Sequence, residues 1–152
     1  MITSELLEAY LACPMKSYLQ SNGEKCSENE FAALYQIQKH SYRHAGIRRL
    51  EAGPPQVSAR SQIEQRGFRK AEWRLAFNQA LDVDDLSATI HAIQRVPIEG
   101  ISSEFIPIRF VHLNKPSHAN KMMAVFDAIV LSKVAGQPIS AAKLIHGDAW
   151  IP

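Results

Sequence analysis

The sequence predicts an α+β (α/β) fold, with N-terminal helices followed by a mixed sheet that carries a packed helix. Three observations point to it. A long helical pattern, roughly residues 28–51, runs into Gly53-Pro54-Pro55. Residues 86–96 alternate apolar and polar side chains, and a second strand-like run, EFIPIRFVHL, follows the turn PIEGISS. A further helix through KMMAVFDAIVLSKVAG then leads to a short apolar strand in AAKLIHGD. Helices first, then strands, then a helix and a strand suit helical layers on a sheet.

Taken in order, Thr3 or Ser4 can cap a first helix, with Glu5 and Glu8 in its opening turn and Leu6, Leu7, Tyr10 and Leu11 as its apolar stripe. Pro14 ends or restarts that helix near Cys13, and SNGE stops the next piece. Ser27 with Glu30 resembles a capping box for the long helix. Phe31, Leu34, Ile37, Tyr42 and Leu50 fall near one face of it. The stretch 62–81 is ambiguous, and the alternation of Trp73, Leu75 and Phe77 favours a strand over 72–79. In the next strand Leu86, Ala88, Ile90 and Ala92 point one way, with Ser87, Thr89, His91 and Arg95 opposite. Pro107 belongs where no ladder N–H is needed. Ser117 or Asn120 caps the last helix, Gly136 and Pro138 close it, and Met123, Phe126, Ile129, Val130 and Val134 form its buried stripe. We read residues 1–152 as one domain: a helical part at 1–52, a basic linker at 53–71 and a sheet core at 72–152.

At 152 residues, 46% hydrophobic and 21% charged, the chain is of ordinary globular composition. Its net charge of +2 does not by itself imply nucleic acid, but the bases are unevenly placed. Arg43, Arg48, Arg49, Arg66, Arg69 and Lys70 fall within a stretch from Lys39 to Arg74 whose acids are Glu51, Glu64 and Glu72. Such a stripe can neutralise phosphates, or serve as a solvated helix face and linker. Two cysteines make neither a disulfide framework nor a zinc pattern. With no secretory leader and no long apolar run, a cytoplasmic location without a membrane partner is expected.

The string LEAYLACPMKSYLQSNGE resembles the N-terminal motif of RecB-like nucleases of the PD-(D/E)XK superfamily, in its Tyr10, Cys13-Pro14, Lys16 and Tyr18-Leu19. The later string FIPIRFVHLNK…KMMAVFDAIVLSKVAGQPISAAKLIHGD resembles a branch of the same group. The resemblance covers most of the chain except the basic middle. It implies a restriction-endonuclease-like α-β-β-β-α-β core, DNA as partner, and carboxylates from an Asp and a Glu-x-Lys holding Mg²⁺ to activate water. His91 stands at the expected Asp position, Arg109 at the Glu and Val111 at the Lys. Arginine repels Mg²⁺, and that hard cation prefers oxygen to imidazole. Lys121 is the candidate for a lysine displaced onto the neighbouring helix. Iron–sulfur members join the first motif cysteine to three others near the C-terminus, which Cys13 lacks here. Relatives of this kind generally run on past the last core strand, so the chain reads as a fragment or a minimal version.

The catalytic candidates by position are therefore His91, Arg109 and Lys121, and the nucleic-acid candidates are Arg43, Arg48, Arg49, Arg66, Arg69, Lys70 and Arg95. No metal ligand set is assigned. His91, Arg95 and Arg109 read either as a phosphate-binding polar sheet face or as a solvated one with paired charges. His40 and His44 have zinc spacing but no third ligand, and Cys13 reads as a small buried hydrophobe. The expected function is a RecB-like domain with a degenerate site, binding nucleic acid or serving structure, with no cofactor. One alternative is an active Mg²⁺-dependent DNA nuclease completed by unusual residues or a missing C-terminal region. Another is a subunit that docks a protein partner.

Overall fold

The computed structural model describes residues 1–24, 29–53, 58–59, 68, 73–98 and 101–147. Its elements run β1 (Ile2–Thr3), α1 (Ser4–Ala12), α2 (Pro14–Ser21), α3 (Glu30–Glu51), β2 (Ser58–Ala59), β3 (Leu75–Val83), β4 (Leu86–Ile98), β5 (Ile101–Val111), α4 (His118–Ala135) and β6 (Lys143–His146). The fold is α+β, as expected, and α3-β3-β4-β5-α4-β6 follows the anticipated order. One mixed sheet has the path β2-β3-β4-β5-β6, with β1 beside β4. β3, β4 and β5 are antiparallel neighbours, while β1, β2 and β6 pair in parallel. No helix among the described residues is long and apolar enough to cross a membrane.

The helix boundaries follow from local chemistry. The Thr3 hydroxyl accepts the Leu6 N–H at 3.1 Å and starts α1. Cys13 is extended, which breaks the helix and lets Pro14 open α2 at a position that needs no N–H. Cys13 is exposed, not the buried hydrophobe expected. Asn29 caps α3 through the Ala32 N–H at 2.7 Å; the expected cap Ser27 lies outside the described residues. In α4, Ser117 and Asn120 cap reciprocally, and Gly136 closes the helix with φ 68°. Within the expected linker, Phe68 is buried edge-on to Trp73 and Phe105.

α4 covers one face of the sheet, where Phe126, Val130 and Leu131 meet Ile90, Ile93 and Phe105. α3 covers the other, where Tyr42, Ile47 and Leu50 meet Phe77, Ala92, Ile108 and Phe110. Each fully buried side chain of that size contributes roughly 1.5–3 kcal/mol. Only the C-terminal half of α3 takes part. Phe31, Leu34 and Ile37, read as lying near one face with Tyr42 and Leu50, are 76%, 53% and 60% exposed. Tyr10 and Ile129 are likewise exposed rather than buried, because the apolar surface of α1 and α4 extends beyond the face that meets the sheet.

Strand alternation breaks at one rung. Phe77 faces α3 but Leu81 faces α4; Ile90 faces α4 but Ala92 faces α3. Residues of like parity should share a face. Between them lie Asn78, with φ 52°, and His91 opposite it, flanked by the rungs Phe77–Ala92 and Gln79–Ile90. Asparagine tolerates this left-handed conformation better than most residues. The expected common face for Leu86, Ala88, Ile90 and Ala92 therefore fails at Ala92.

Candidate functional site

The β4–β5 ladder runs from Ile98–Ile101 to Ala92–Ile108 and stops. The next rung would join His91 to Arg109. Instead the His91 ring bridges the gap: its Nδ1 accepts the Phe110 N–H at 3.1 Å, and it stacks on the Phe110 ring at 6.0 Å. Past this point β5 leaves β4. β3 already occupies one edge of Leu86 and Ser87, so β1 takes the other, pairing Ile2 with Leu86 and Thr3 with Ser87. Ser4 Oγ then accepts the Thr89 N–H at 3.2 Å, seating the start of α1 over the splay.

The splay leaves a cleft of about 210 Å³ between α1, α3, β4 and β5. It is bordered by Ser4, Glu5 and Glu8 of α1, Gln36, Lys39, His40 and Arg43 of α3, Thr89 and His91 of β4, and Arg109 and Phe110 of β5. It opens toward a larger groove along α3, about 600 Å³, lined by His40, Ser41, Arg43, His44, Ile47, Arg48 and Asn78. Among the described residues no carboxylate lines that groove. Lys39 is paired with Glu8, and Arg43 donates to the Asn78 side chain.

Arg109 is buried and bidentate on Asp127 of α4: Nε donates to Oδ2 at 2.8 Å and Nη2 to Oδ1 at 2.7 Å. Burial pushes the Asp127 carboxyl above its ordinary range, while Arg109 pulls it back. Burial, reinforced by Arg109, lowers Arg43. Burial first, then the charges of Arg109, Arg43 and Lys39, pushes His91 down to about 2. The ring is therefore neutral, and with Nδ1 accepting, its proton sits on Nε2.

This state has a measurable consequence. Unfolded His91 takes a proton below its ordinary 6.5, whereas folded His91 does so only near 2. Stability is thus full above pH 6.5 and falls as pH drops through that window, by about 1.4 kcal/mol per unit. His91→Asn keeps an acceptor for Phe110 but cannot titrate. Urea unfolding of the wild type should lose about 2 kcal/mol more than this variant between pH 6.5 and 5. Equal losses would mean that His91 is not held neutral.

The donors do not fit Mg²⁺. His91 spends Nδ1 on a backbone amide, Arg109 brings positive charge, and Val111 is buried and apolar. Among the described residues no three His, Cys, Asp or Glu side chains gather to share an ion. Of the residues singled out from sequence, His91, Arg109 and Arg43 meet at the cleft, and Arg48 joins Arg43 in the groove. Arg95 does not line the cleft, because the break at His91 sets it out of phase, so His91, Arg95 and Arg109 do not form one polar face. Lys121 is exposed in the first turn of α4, away from the cleft, and Arg49 is exposed on α3 outside both cavities. Arg66, Arg69 and Lys70 lie outside the described residues. Asp127, Gln36 and the Ser4–Thr89 contact were not anticipated as parts of the site. The αL-tolerant asparagine inside a strand pattern was the one local signal available for the splay. Comparison with family models, curated proteins and solved structures finds no match to this chain.

Proposed function

We propose that this chain is a RecB-like nuclease-type domain that binds nucleic acid without cutting it. The supporting observation is the basic face of α3. Lys39 and Arg43 form one i, i+4 row, and His40, His44 and Arg48 form a second beside it. All but Lys39 border a groove that has no carboxylate in its lining among the described residues. Arginine forks suit phosphate oxygens, and a row of them follows a backbone rather than a base sequence. Against cleavage stand the residues at the resemblance's catalytic positions: a neutral backbone-bonded histidine, an arginine neutralised by Asp127, and a buried valine.

The test is fluorescence anisotropy with labelled single strands. With three or four phosphates contacted, affinity should fall roughly twenty- to fiftyfold from about 50 to about 200 mM salt. Arg48→Gln should weaken binding severalfold on any sequence. Strands incubated with Mg²⁺ or Mn²⁺ should stay intact. Absence of binding at low ionic strength would remove this reading. Cleavage abolished by His91→Ala would replace it with an active nuclease.

The exposed Phe31, Leu34 and Ile37 favour a second reading, a subunit that docks a protein. A protein partner retained after nuclease treatment, and lost in Leu34→Lys, would support it.

A further inference from the structure

We propose that the cleft under α1 seats a terminal phosphate: the monoester at the end of a strand whose backbone lies along α3. This rests on the nucleic-acid reading above and adds to it which part of the strand the cleft takes.

The first argument is shape. The cleft is a branch of the α3 groove, since His40 and Arg43 border both. Its inner end is bordered by Ser4 and Thr89. Ile2 and Thr3 fill the place β5 has vacated beside β4, and Ser4 is bonded to Thr89 just above them. A strand entering from the groove runs toward Ser4 at the start of α1, next to β1. At about 210 Å³ there is room for a phosphate and part of a sugar, not for a chain passing through.

The second argument is charge. Arg109 is cancelled by Asp127, and Lys39 by Glu8. Arg43 hydrogen-bonds the neutral Asn78 amide, so among the described residues Arg43 and Arg109 share the one Asp127 carboxylate, and a positive charge is left at the mouth of the cleft. Glu5 and Glu8 are exposed on the α1 side. Burial, reinforced by the charges of Arg109, Arg43 and Lys39, keeps His91 neutral here. An anion at this point removes the imbalance. A monoester brings more negative charge and one more terminal oxygen than an internal diester.

The third argument is donors. The Nε2–H of His91, fixed in place by the Phe110 amide, makes no hydrogen bond among the described residues. Gln36, Thr89 and the remaining N–H groups of Arg43 border the same space.

The experiment compares labelled single strands carrying a 5′-phosphate, a 3′-phosphate or hydroxyls at both ends. One phosphorylated end should bind about tenfold more tightly than the hydroxyl strand. Inorganic phosphate should erase that difference before it displaces the hydroxyl strand. Gln36 is exposed, so Gln36→Glu leaves the fold intact while placing a carboxylate at the cleft; it should bring the ratio close to one. Arg48→Gln should weaken all three strands and leave the ratio unchanged. Equal affinity for the three strands, or a ratio untouched by Gln36→Glu, overturns the terminal-phosphate site and leaves nucleic-acid binding standing. No binding of any strand at low salt overturns both.

Discussion

Asp127→Asn is expected to destabilise the fold by about 3–5 kcal/mol. The carboxylate is 1% exposed and accepts two hydrogen bonds from Arg109, itself 8% exposed. Asparagine keeps the shape and removes the charge, which leaves a guanidinium buried without a counter-ion. The loss is larger than the pair's net contribution to folding, because desolvation of the orphaned partner is included in it. Replacing both, Arg109→Met with Asp127→Leu, should recover most of the loss, since neither apolar side chain has charge to desolvate. Urea titrations of the two single variants and the double read the coupling directly. Additive losses would show that the two groups do not act as a pair.

Gly46→Leu should cost about 3 kcal/mol, at the top of the usual range for overpacking, and lower the melting temperature by roughly 10 °C. Gly46 is the buried point of α3, where a Cβ would stand 2.5 Å from Cδ1 and Cε1 of Phe110. The Phe110 ring cannot simply swing aside. It is buried, it stacks on His91, and its own amide is held by His91. A side chain at position 46 therefore has to lift α3 or reopen the β4–β5 gap. Leucine is a good helix former, so any loss comes from packing and not from helix propensity. Ala33→Leu, on the exposed part of the same helix, is the control and should stay within about 0.5 kcal/mol. A normal melting temperature for Gly46→Leu would mean that α3 does not approach the sheet this closely.

Much of the scaffold is legible because its signals are local. Pro14, Ser117 with Asn120, and Gly136 each act within a few residues, and each marks the helix boundary read from it. The apolar runs of β4 and β5 likewise identify strands by their period. The site is less legible because its determinants are relations between elements. Arg109 and Asp127 are 18 residues apart on a strand and a helix, and no periodicity says that one neutralises the other. Gly46 interrupts a helical pattern at some cost in propensity, which hints at a packing role but does not name Phe110. Alternation carried through residue 91 placed His91 and Arg95 together, because the pattern has no memory of a left-handed residue on the facing strand. Phe31, Leu34 and Ile37 show the reverse failure: a helical stripe identifies an apolar face without saying whether anything covers it.

The bond between Ser4 and Thr89 spans 85 residues of sequence, and this bears on when the cleft can exist. During synthesis α1 is made first, yet its seat is not available until β3 and β4 have emerged and paired. Closing so long a loop carries an entropic penalty that shorter-range hairpins do not. The hairpin of β3 and β4 should form early, and docking of β1 should come late. Until then β4 carries an open edge beside residues 86–89, the kind of surface through which partly folded chains stick to one another. Refolding followed at high and low protein concentration should accordingly show a late phase whose yield falls as concentration rises.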